Sequence, residues 1–450
     1  METLKIIVNY VLDLGAAVFV PLIMLVIGMI VRMKFKDALS SAITLGVAFT
    51  GMMLVVGFML DAISPAAKEL AKLTGITLTA IDGGWTGMAS ISWAWPYAFL
   101  MFPLTVGINI IMLLLNLTKT LNVDMWNVWN KIFTAVMVSA ISGSMIMGFI
   151  VAGIQVVLEL KAGDAWGDHI NKLTGIPGIT VPHFITLLAV ILYPLNRLMD
   201  LVPFLNKKMD ADALKEKIGV FAENHIMGGI IGLLLGFAAG YGVSGSLGLA
   251  IKAAAAMTLF PMVSKLFMQA LSPISDAVSE FMRKKFSGRE VFIGLDWPVL
   301  AGRNELWVTA IILIPISILF AITLPGNKVL PFAGIINISF FVAAFLITGG
   351  NLLRMIIMGI ITTPIFLYAA TFFAPFITDL ANSTGVVKVK EGTQLTWSTF
   401  EGPDFRYIFG LAAEGNIVFI ALAIVWLGAF YWMYKGMIKK AKSYADSEAL

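Results

Sequence analysis

The sequence contains no cysteine, only three histidines and few charged residues. Without cysteine the chain has no disulfide, no thiolate metal site and no cysteine nucleophile. The histidines, at positions 169, 183 and 225, lie far apart and lack the spacing of metal ligands. HExxH, GxSxG, P-loop and Rossmann patterns are absent as well. These absences exclude a soluble catalytic domain, and we expect no metal ion and no cofactor.

Charge is scarce because the chain is apolar along its whole length. Hydrophobic residues make up 59% of the 450 positions and charged residues 13%, whereas soluble domains carry about a quarter charged residues. Runs long enough to cross ~30 Å of hydrocarbon recur. We expect an all-α polytopic membrane protein whose first run is a spanning helix and not a removable signal. The runs are 14–31, 38–60, 132–158, 173–196, 224–251, 306–327, 329–353, 355–378 and 415–434.

The two halves of the chain share a weak repeat. "LDAISPAAKEL" resembles "MQALSPISDAV" at an offset of 208 positions, and two tryptophans and a proline recur at an offset of 212. Chance similarity between apolar helices is the alternative explanation. Because the chain has only 11 tryptophans, we favour a true repeat. The matched positions are Ser64, Pro65, Trp85, Trp95 and Pro103 in the first half, and Ser272, Pro273, Trp297, Trp307 and Pro315 in the second.

Loop charges indicate that the two halves are inverted relative to each other. The loop "RMKFKD" has three basic residues and its counterpart "GYGVSG" has none, while at the next loop the bias reverses. Basic loops stay in the cytoplasm, so corresponding loops should lie on opposite sides of the membrane. Inverted repeats are the architecture of alternating-access transporters.

These charges also predict domain limits and orientation. We expect a first repeat at 1–196, an amphipathic cytoplasmic linker at 197–223 and a second repeat at 224–450, with a periplasmic N-terminus. Lysines near the C-terminus indicate that it is cytoplasmic. That orientation needs a sixth crossing in the second half, which gives about eleven crossings in all. The sequence does not assign the position of the sixth crossing.

Two matched stretches predict broken or re-entrant segments. Residues 83–118 and 294–327 are rich in Gly and Pro and are too long for one crossing. Irregular backbone at membrane depth is tolerated when it is buried in protein or lines a cavity, so these segments indicate the substrate site. "ISGS" at 141–144 matches "TGGN" at 348–351; these stretches either open a helix toward a ligand or allow close helix packing.

Carboxylates, amides and flat aromatic rings near the breaks suit a polyhydroxylated ligand. Simpler explanations stand beside this one: an interfacial belt for the tryptophans, pairing of Asp296 with Arg303, a satisfied core position for His183, and a solvated capping turn for "NVDMWNVWN". The candidate ligand-binding residues are Asp82, Trp85, Trp93, Ser144, His183, Asp296, Trp297, Arg303, Asn304 and Asn351.

Several stretches resemble the membrane component, enzyme IIC, of galactitol-type phosphotransferase systems in the ascorbate–galactitol superfamily. They are "NYVLDLG", "DAISPAAK", "LNVDMWNVW", "GIPGITVPH", "GREVFIGLD" and "LPGNKVLPF". The sequence departs from the family pattern at Arg303, where histidine is common, and at Thr348 and Gly349, where "HRGN" is common. The resemblance implies a bacterial inner-membrane homodimer with a scaffold domain and a moving core domain.

The resemblance also implies uptake of a hexitol or related sugar, phosphorylated as it enters by a phosphocysteine on a separate IIB protein that IIA recharges. The chain would be the transport subunit of a phosphoenolpyruvate-dependent phosphotransferase, with no nucleic-acid partner. We expect Asp296 to act as the catalytic base and the basic segment of Arg283, Lys284, Lys285 and Arg289 to dock IIB. The alternative is a proton-coupled symporter that uses Asp82, Asp296 or Glu414 as proton carrier.

Overall fold

A computed structural model describes residues 16–30, 32–73, 79–93, 95–124, 127–206, 224–285, 291–331, 334, 336–384, 389 and 394–448. The described part is mostly helical and also contains six short strands in two sheets. The all-α expectation therefore omits the sheets. Strands of two or three residues are too short to produce an alternating pattern in the sequence.

The helices of the first half are α1 (Ala16–Ile30), α2 (Phe35–Leu73), α3 (Gly84–Trp93), α4 (Met101–Leu114), α5 (Val128–Ser142), α6 (Met145–Thr174) and α7 (Ala189–Met199). Those of the second half are α8 (Asn224–Ala238), α9 (Gly242–Lys285), α10 (Asn304–Thr323), α11 (Ile338–Thr348), α12 (Leu352–Thr384), α13 (Pro403–Ala413) and α14 (Ile417–Glu448). The apolar run 224–251 is thus divided between α8, which ends at Ala238, and α9, which begins at Gly242 within the loop "GYGVSG".

Four described helices are long and apolar enough to cross a membrane, namely α6, α10, α12 and α14 within 145–174, 304–323, 352–383 and 417–443. The described part also contains shorter apolar helices, including α5 and α11. Much of α14 is exposed along its apolar side, with Ile417, Val418 and Val425 among the exposed residues. Together these helices are those of a polytopic membrane protein, because apolar surface of this extent suits lipid contact and not water.

Both segments expected to be broken are interrupted in the structure. In the first, α3 ends at Trp93, and a 3₁₀ turn at Ala98–Leu100 precedes α4. In the second, a 3₁₀ turn at Trp297–Leu300 precedes α10.

The "ISGS" and "TGGN" stretches also separate helices. Gly143 and Gly350 adopt left-handed backbone angles, with φ of 67° and 82°, which suit glycine. Ser144 then caps α6 by accepting from the Met147 backbone N–H, and Asn351 accepts likewise from the Arg354 N–H. The two side chains therefore satisfy the first turns of the helices that follow the breaks.

Two parallel sheets join the halves of the chain. The strands are β1 (Ala80–Asp82), β2 (Thr120–Asn122), β3 (Ile179–Thr180), β4 (Phe292–Gly294), β5 (Val329–Leu330) and β6 (Gln394–Thr396). One sheet has the order β5-β1-β6 and the other β2-β4-β3. Each sheet thus takes its central strand from one half and its outer strands from the other.

The strand β4 needs glycine at its end because its neighbours approach closely. A Cβ on Gly294 would lie 2.6 Å from Pro182 Cγ and 2.8 Å from Asn122 Cα. Those contacts are shorter than van der Waals separation. Glycine therefore lets β4 lie between β2 and β3, and the segments that follow these three strands enter the same space.

Candidate functional site

Three side chains meet at the carboxyl edge of the β2-β4-β3 sheet. Asp124 follows β2 by two residues, Asp296 follows β4 by two, and His183 follows β3 by three. Because the strands are parallel, their carboxyl ends lie at the same edge, the edge at which open parallel sheets commonly bind ligands. One ligand-type atom of each residue lies within 4.8 Å of the other two.

His183 presents a donor to this space. Its Nδ1 accepts the Ile185 backbone N–H at 3.1 Å, which assigns the ring proton to Nε2. Nε2 is buried, lies 3.7 Å from Asp296 Oδ1 and has no hydrogen-bond partner among the described residues. A buried donor without a partner costs free energy, so the site is arranged to receive a hydrogen-bond acceptor.

The same tautomer disfavours a metal ion at this cluster. Two aspartates and a histidine have the composition of a metal site. A ligating histidine normally donates its other ring N–H to a neighbour, whereas Nδ1 of His183 accepts a hydrogen bond from Ile185. The donor set therefore fits a hydroxyl-bearing ligand better than a cation.

Asp296 starts the 3₁₀ turn at Trp297–Leu300. Its Oδ1 accepts the Trp297 backbone N–H at 2.6 Å, and 14% of its side chain is exposed. The alternative pairing with Arg303 is wrong, since Arg303 donates to Glu305 Oε1 at 2.8 Å and to the Leu173 carbonyl at 3.1 Å. The carboxylate of Asp296 faces His183 instead.

The interpretation of "NVDMWNVWN" as a solvated turn is also wrong. Asp124, Asn127 and Asn130 are buried. Asp124 Oδ2 accepts from Asn127 Nδ2 at 2.6 Å, and its Oδ1 accepts from the Asn127 backbone N–H at 3.3 Å. The turn thus carries polar side chains into the interior, where they hold one another.

A buried ion pair supports this turn. Lys131 Nζ lies 2.6 Å from Glu159 Oε2, and both side chains are 1% exposed. Lys131 also donates to the Asn127 carbonyl at 3.2 Å, and Gln155 donates to Glu159 Oε1 at 2.7 Å. A buried pair is favourable only with such additional hydrogen bonds.

Arg406 forms a second buried charge cluster with Glu401. The guanidinium donates to Thr134 Oγ1 at 2.8 Å and to the Asn130 carbonyl at 3.0 Å. It also donates to the side-chain oxygen of Asn130 and to the Glu401 backbone carbonyl. The Asn130 side-chain amide in turn donates to the Glu401 carboxylate. Three aromatic rings lie within 5.2 Å of the guanidinium carbon, those of Phe133, Phe184 and Phe400. Cation–π contacts of this kind stabilise a desolvated arginine.

The sequence pattern does not predict that Lys131 and Glu159 are buried, because they stand at the two ends of an apolar run. Lys131 and Glu159 flank the run 132–158, a position typical of membrane boundaries. Glu159 nevertheless lies in the middle of α6. An ionisable residue inside a spanning helix indicates function or pairing, and that signal was available.

Asp82 lies at the carboxyl edge of the other sheet. Its carboxylate accepts from the Gly84 and Gly334 backbone N–H groups at 2.9 and 2.8 Å and from Ser398 Oγ at 2.5 Å. These donors join both halves of the chain around a fully buried side chain. The structure therefore places Asp82 in a cluster distinct from that of Asp296.

The tryptophans separate in the same way. Trp297 contacts the rings of Trp307 and Phe341, with centroids 6.4 and 6.3 Å apart, beside the Asp296 cluster. Trp85 packs in the other apolar cluster, which contains Trp129 and Trp397. The side chain of Trp93 lies outside the described part of the structure. Trp297 is thus the tryptophan that follows the candidate base directly.

The remaining candidates lie at helix starts. Arg303 precedes α10 and Asn304 is its first residue, while Ser144 and Asn351 cap α6 and α12. Arg283, Lys284 and Lys285 end α9, with side chains outside the described part, and Arg289 is not described.

Comparison with known proteins gives nearly end-to-end similarity. The profile of the EIIC-GAT family, "PTS system sugar-specific permease component", matches residues 10–392. The galactitol-specific EIIC component of the PTS system of Escherichia coli K12 is 34% identical over 450 residues, covering 97% of this chain and 98% of that protein. The protein of the same name from E. coli O157:H7 has the same identity and coverage. A putative permease IIC component of E. coli K12 is 36% identical over 426 residues, covering 92% and 98%.

We expect the substitution Arg406→Met to destabilise the protein strongly. It leaves the Thr134 hydroxyl and the Asn130 and Glu401 carbonyls without this donor, and each buried acceptor left unsatisfied costs about 1–3 kcal/mol. Arg197→Met is the matched control, because Arg197 is exposed and its pair with Asp200 is worth about 0–1 kcal/mol. Thermal unfolding in detergent compares the two. Equal losses would contradict this account of the Arg406 cluster.

Proposed function

Since this chain belongs to the EIIC-GAT family of sugar-specific permease components of phosphotransferase systems, we propose that it takes up a hexitol or closely related sugar that is phosphorylated as it enters. The chain is the multi-pass membrane subunit of such a system, resident in the bacterial inner membrane. Galactitol is the first substrate to test, because it is named for two relatives that match almost the whole chain.

The observation that carries the proposal is the donor and acceptor set at the carboxyl edge of the β2-β4-β3 sheet. His183 Nε2 offers a donor, and the Asp124 and Asp296 carboxylates offer acceptors within 4.8 Å. A hydroxyl both donates and accepts, so neighbouring hydroxyls of a polyol satisfy all three groups. The Trp297 ring supplies an apolar wall for the C–H face of the sugar.

In this proposal Asp296 is the base for phosphoryl transfer. It accepts a hydrogen bond from the hydroxyl that attacks phosphorus and takes up its proton, as a carboxylate does in other phosphoryl transferases. His183 orients the same or the adjacent hydroxyl through Nε2–H. Arg303 and Asn304, close after the Asp296 turn, would complete the binding residues on the side of α10.

Phosphotransferase permease components act with IIB and IIA proteins. We assign the docking of phosphorylated IIB to Arg283, Lys284, Lys285 and Arg289, because basic groups there would attract and steer a phosphate-bearing surface. A homodimer is part of the proposal through family resemblance. Phosphoryl carriage belongs to the partner, in agreement with the absence of cysteine here.

The register of the sheets supports inverted repeats. Ala80 and Phe292 begin the central strands 212 positions apart, the same offset as the pair Trp85 and Trp297. With that equivalence β1 corresponds to β4, and the whole sheet β5-β1-β6 corresponds to the sheet β2-β4-β3. The proposal keeps the repeats at 1–196 and 224–450, about eleven crossings, a periplasmic N-terminus and a cytoplasmic C-terminus.

A proton-coupled symporter is the competing function. Of its three candidate carriers, Glu414 is exposed and Asp82 accepts three hydrogen bonds, which leaves Asp296 as the carboxylate placed to exchange a proton with a ligand. The same residue serves both mechanisms, so the energy source separates them.

The source of energy is tested in inverted-orientation and right-side-out vesicles. We expect phosphorylated sugar to accumulate only with phosphoenolpyruvate and the soluble partner proteins, because the phosphoryl group drives uptake. A protonophore should have little direct effect. Accumulation of free sugar on a proton gradient alone would favour the symporter.

Inverted topology is tested by labelling single cysteines at Lys34 and Ser244, both exposed, in a chain without a cysteine background. We expect Lys34→Cys to react from the cytoplasmic side and Ser244→Cys from the periplasmic side, because the charge bias of their loops is opposite. Labelling of both from one side would refute the inverted arrangement.

The substitution Asp296→Asn separates sugar positioning from proton transfer. Asparagine keeps the size of aspartate but is a far weaker base. Binding should weaken by about 1–3 kcal/mol, the value of a charge-assisted hydrogen bond, while phosphorylation should fall by roughly 10²–10⁴. Equilibrium binding and single-turnover transfer measure the two effects. Equal loss of both would make Asp296 a binding residue and not a base.

A further inference from the structure

We infer that Asp124 is the second carboxylate of a proton-sharing pair with Asp296, and that the pair as a unit receives the proton released from the sugar hydroxyl during phosphoryl transfer. This inference rests on the proposed function and adds a residue to its mechanism. Asp124 is the carboxylate that the polar turn after β2 brings to the site.

The geometry places the two carboxylates at the same ligand position. An oxygen of Asp124 and an oxygen of Asp296 lie within 4.8 Å of each other, and His183 lies within the same distance of both. Asp124 is 5% exposed, and 14% of the Asp296 side chain is exposed. Two carboxylates so close in a buried site repel when both are ionised, and a shared proton relieves the repulsion.

His183 provides an independent indication that a ligand enters between them. Nε2 is buried, carries the ring proton and has no hydrogen-bond partner in the described part of the chain. It lies 3.7 Å from Asp296 Oδ1, too far for a good hydrogen bond. A hydroxyl oxygen in this space would accept from His183 while its proton points to a carboxylate.

The interior of the protein holds Asp124 in place. Asn127 donates to both carboxylate oxygens of Asp124, and Lys131 in turn donates to the Asn127 carbonyl and pairs with Glu159. Asp296 has a different anchor, the Trp297 backbone N–H. The two carboxylates are therefore held by different segments of the chain, one from each half.

The chemical step balances with this pair as acceptor. The sugar O–H bond breaks and a new O–P bond forms, while the S–P bond of the partner's phosphocysteine breaks and its electron pair stays on sulfur as a thiolate. The released proton goes to Asp296 and is shared with Asp124. The proton leaves the pair after the phosphorylated sugar departs.

Other charged groups surround the pair, and each affects the pH dependence of transfer. From α5 and α6 these are Lys131 and Glu159, and from the segment after β6 and from α13 they are Glu401 and Arg406. His183 faces the pair from the segment after β3. Lys131 is paired with Glu159 and Arg406 lies beside Glu401, whereas the Asp124 carboxylate has neutral donors from Asn127 and faces Asp296.

The test compares Asp124→Asn with the wild-type chain, using galactitol, phosphoenolpyruvate and the soluble partner proteins. We expect sugar binding to weaken modestly, because asparagine still offers an acceptor oxygen, and transfer to fall by roughly 10²-fold, the low end for lost acid–base catalysis. The acidic limb of the pH–rate profile should move to lower pH, because the repulsion from the Asp124 charge that favours the protonated form of Asp296 is lost, and Asp296 then stays ionised to lower pH.

Asp164→Asn is the matched control, since Asp164 is buried and accepts from Thr118 Oγ1, Thr120 Oγ1 and the Lys119 backbone N–H, outside the site. It should lower stability without moving the pH profile.

If Asp124→Asn fails to fold, Asn127→Leu, which removes one donor to Asp124, must move the acidic limb instead. A normal rate, or a lower rate with an unmoved profile, would overturn the inference. Absence of sugar phosphorylation by the wild-type chain would overturn the proposed function itself.

Discussion

Hydrogen bonding between the parallel strands β2, β4 and β3 is the interaction on which the site depends. None of these strands is longer than three residues, yet their pairing sets the positions of three segments that are distant in sequence. The ladder continues beyond the strands, with the Val123 N–H donating to the Gly294 carbonyl and the Leu295 N–H to the Thr180 carbonyl. Parallel direction then brings Asp124, Asp296 and His183 to one edge of the sheet.

The two sheets also provide hydrogen-bond partners for backbone groups at the helix breaks. Broken helices leave N–H and C=O groups that lipid cannot satisfy. The short parallel strands satisfy some of these groups by pairing with one another. At the starts of α6 and α12, the side chains of Ser144 and Asn351 accept hydrogen bonds from backbone N–H groups. Buried charges follow the same rule. Lys131 pairs with Glu159 and donates to the Asn127 carbonyl, while Arg406 donates to the Thr134 hydroxyl and to neighbouring carbonyls. These polar groups are therefore satisfied within the protein.

Some of this could be predicted from the sequence. Asp296 could be found because a carboxylate in "GLDWP" is costly unless it is used, and the offset of 212 that links Trp85 to Trp297 also separates the first residues of β1 and β4. The strands could not be predicted, since two or three residues show no period. Asp124 was missed because a turn dense in Asn and Asp has the composition of a solvated loop. Burial of that turn depends on Lys131 and Glu159, a contact between two helices that local sequence does not reveal.

The exchange of strands between halves has a mechanical consequence. Separation of residues 1–196 from 224–450 as two rigid bodies would break the ladder hydrogen bonds of both sheets and pull Asp82 away from Gly334 and Ser398. A hinge at the linker would therefore separate Asp296 from Asp124 and His183 instead of moving the three together. If the site moves across the membrane intact, the part of the protein that moves must contain both sheets. The surface along which it slides must then lie outside the two sheets. Helices α1, α2, α8 and α9 pack extensively on one another, and their border with the sheet-bearing helices is a surface that meets this condition.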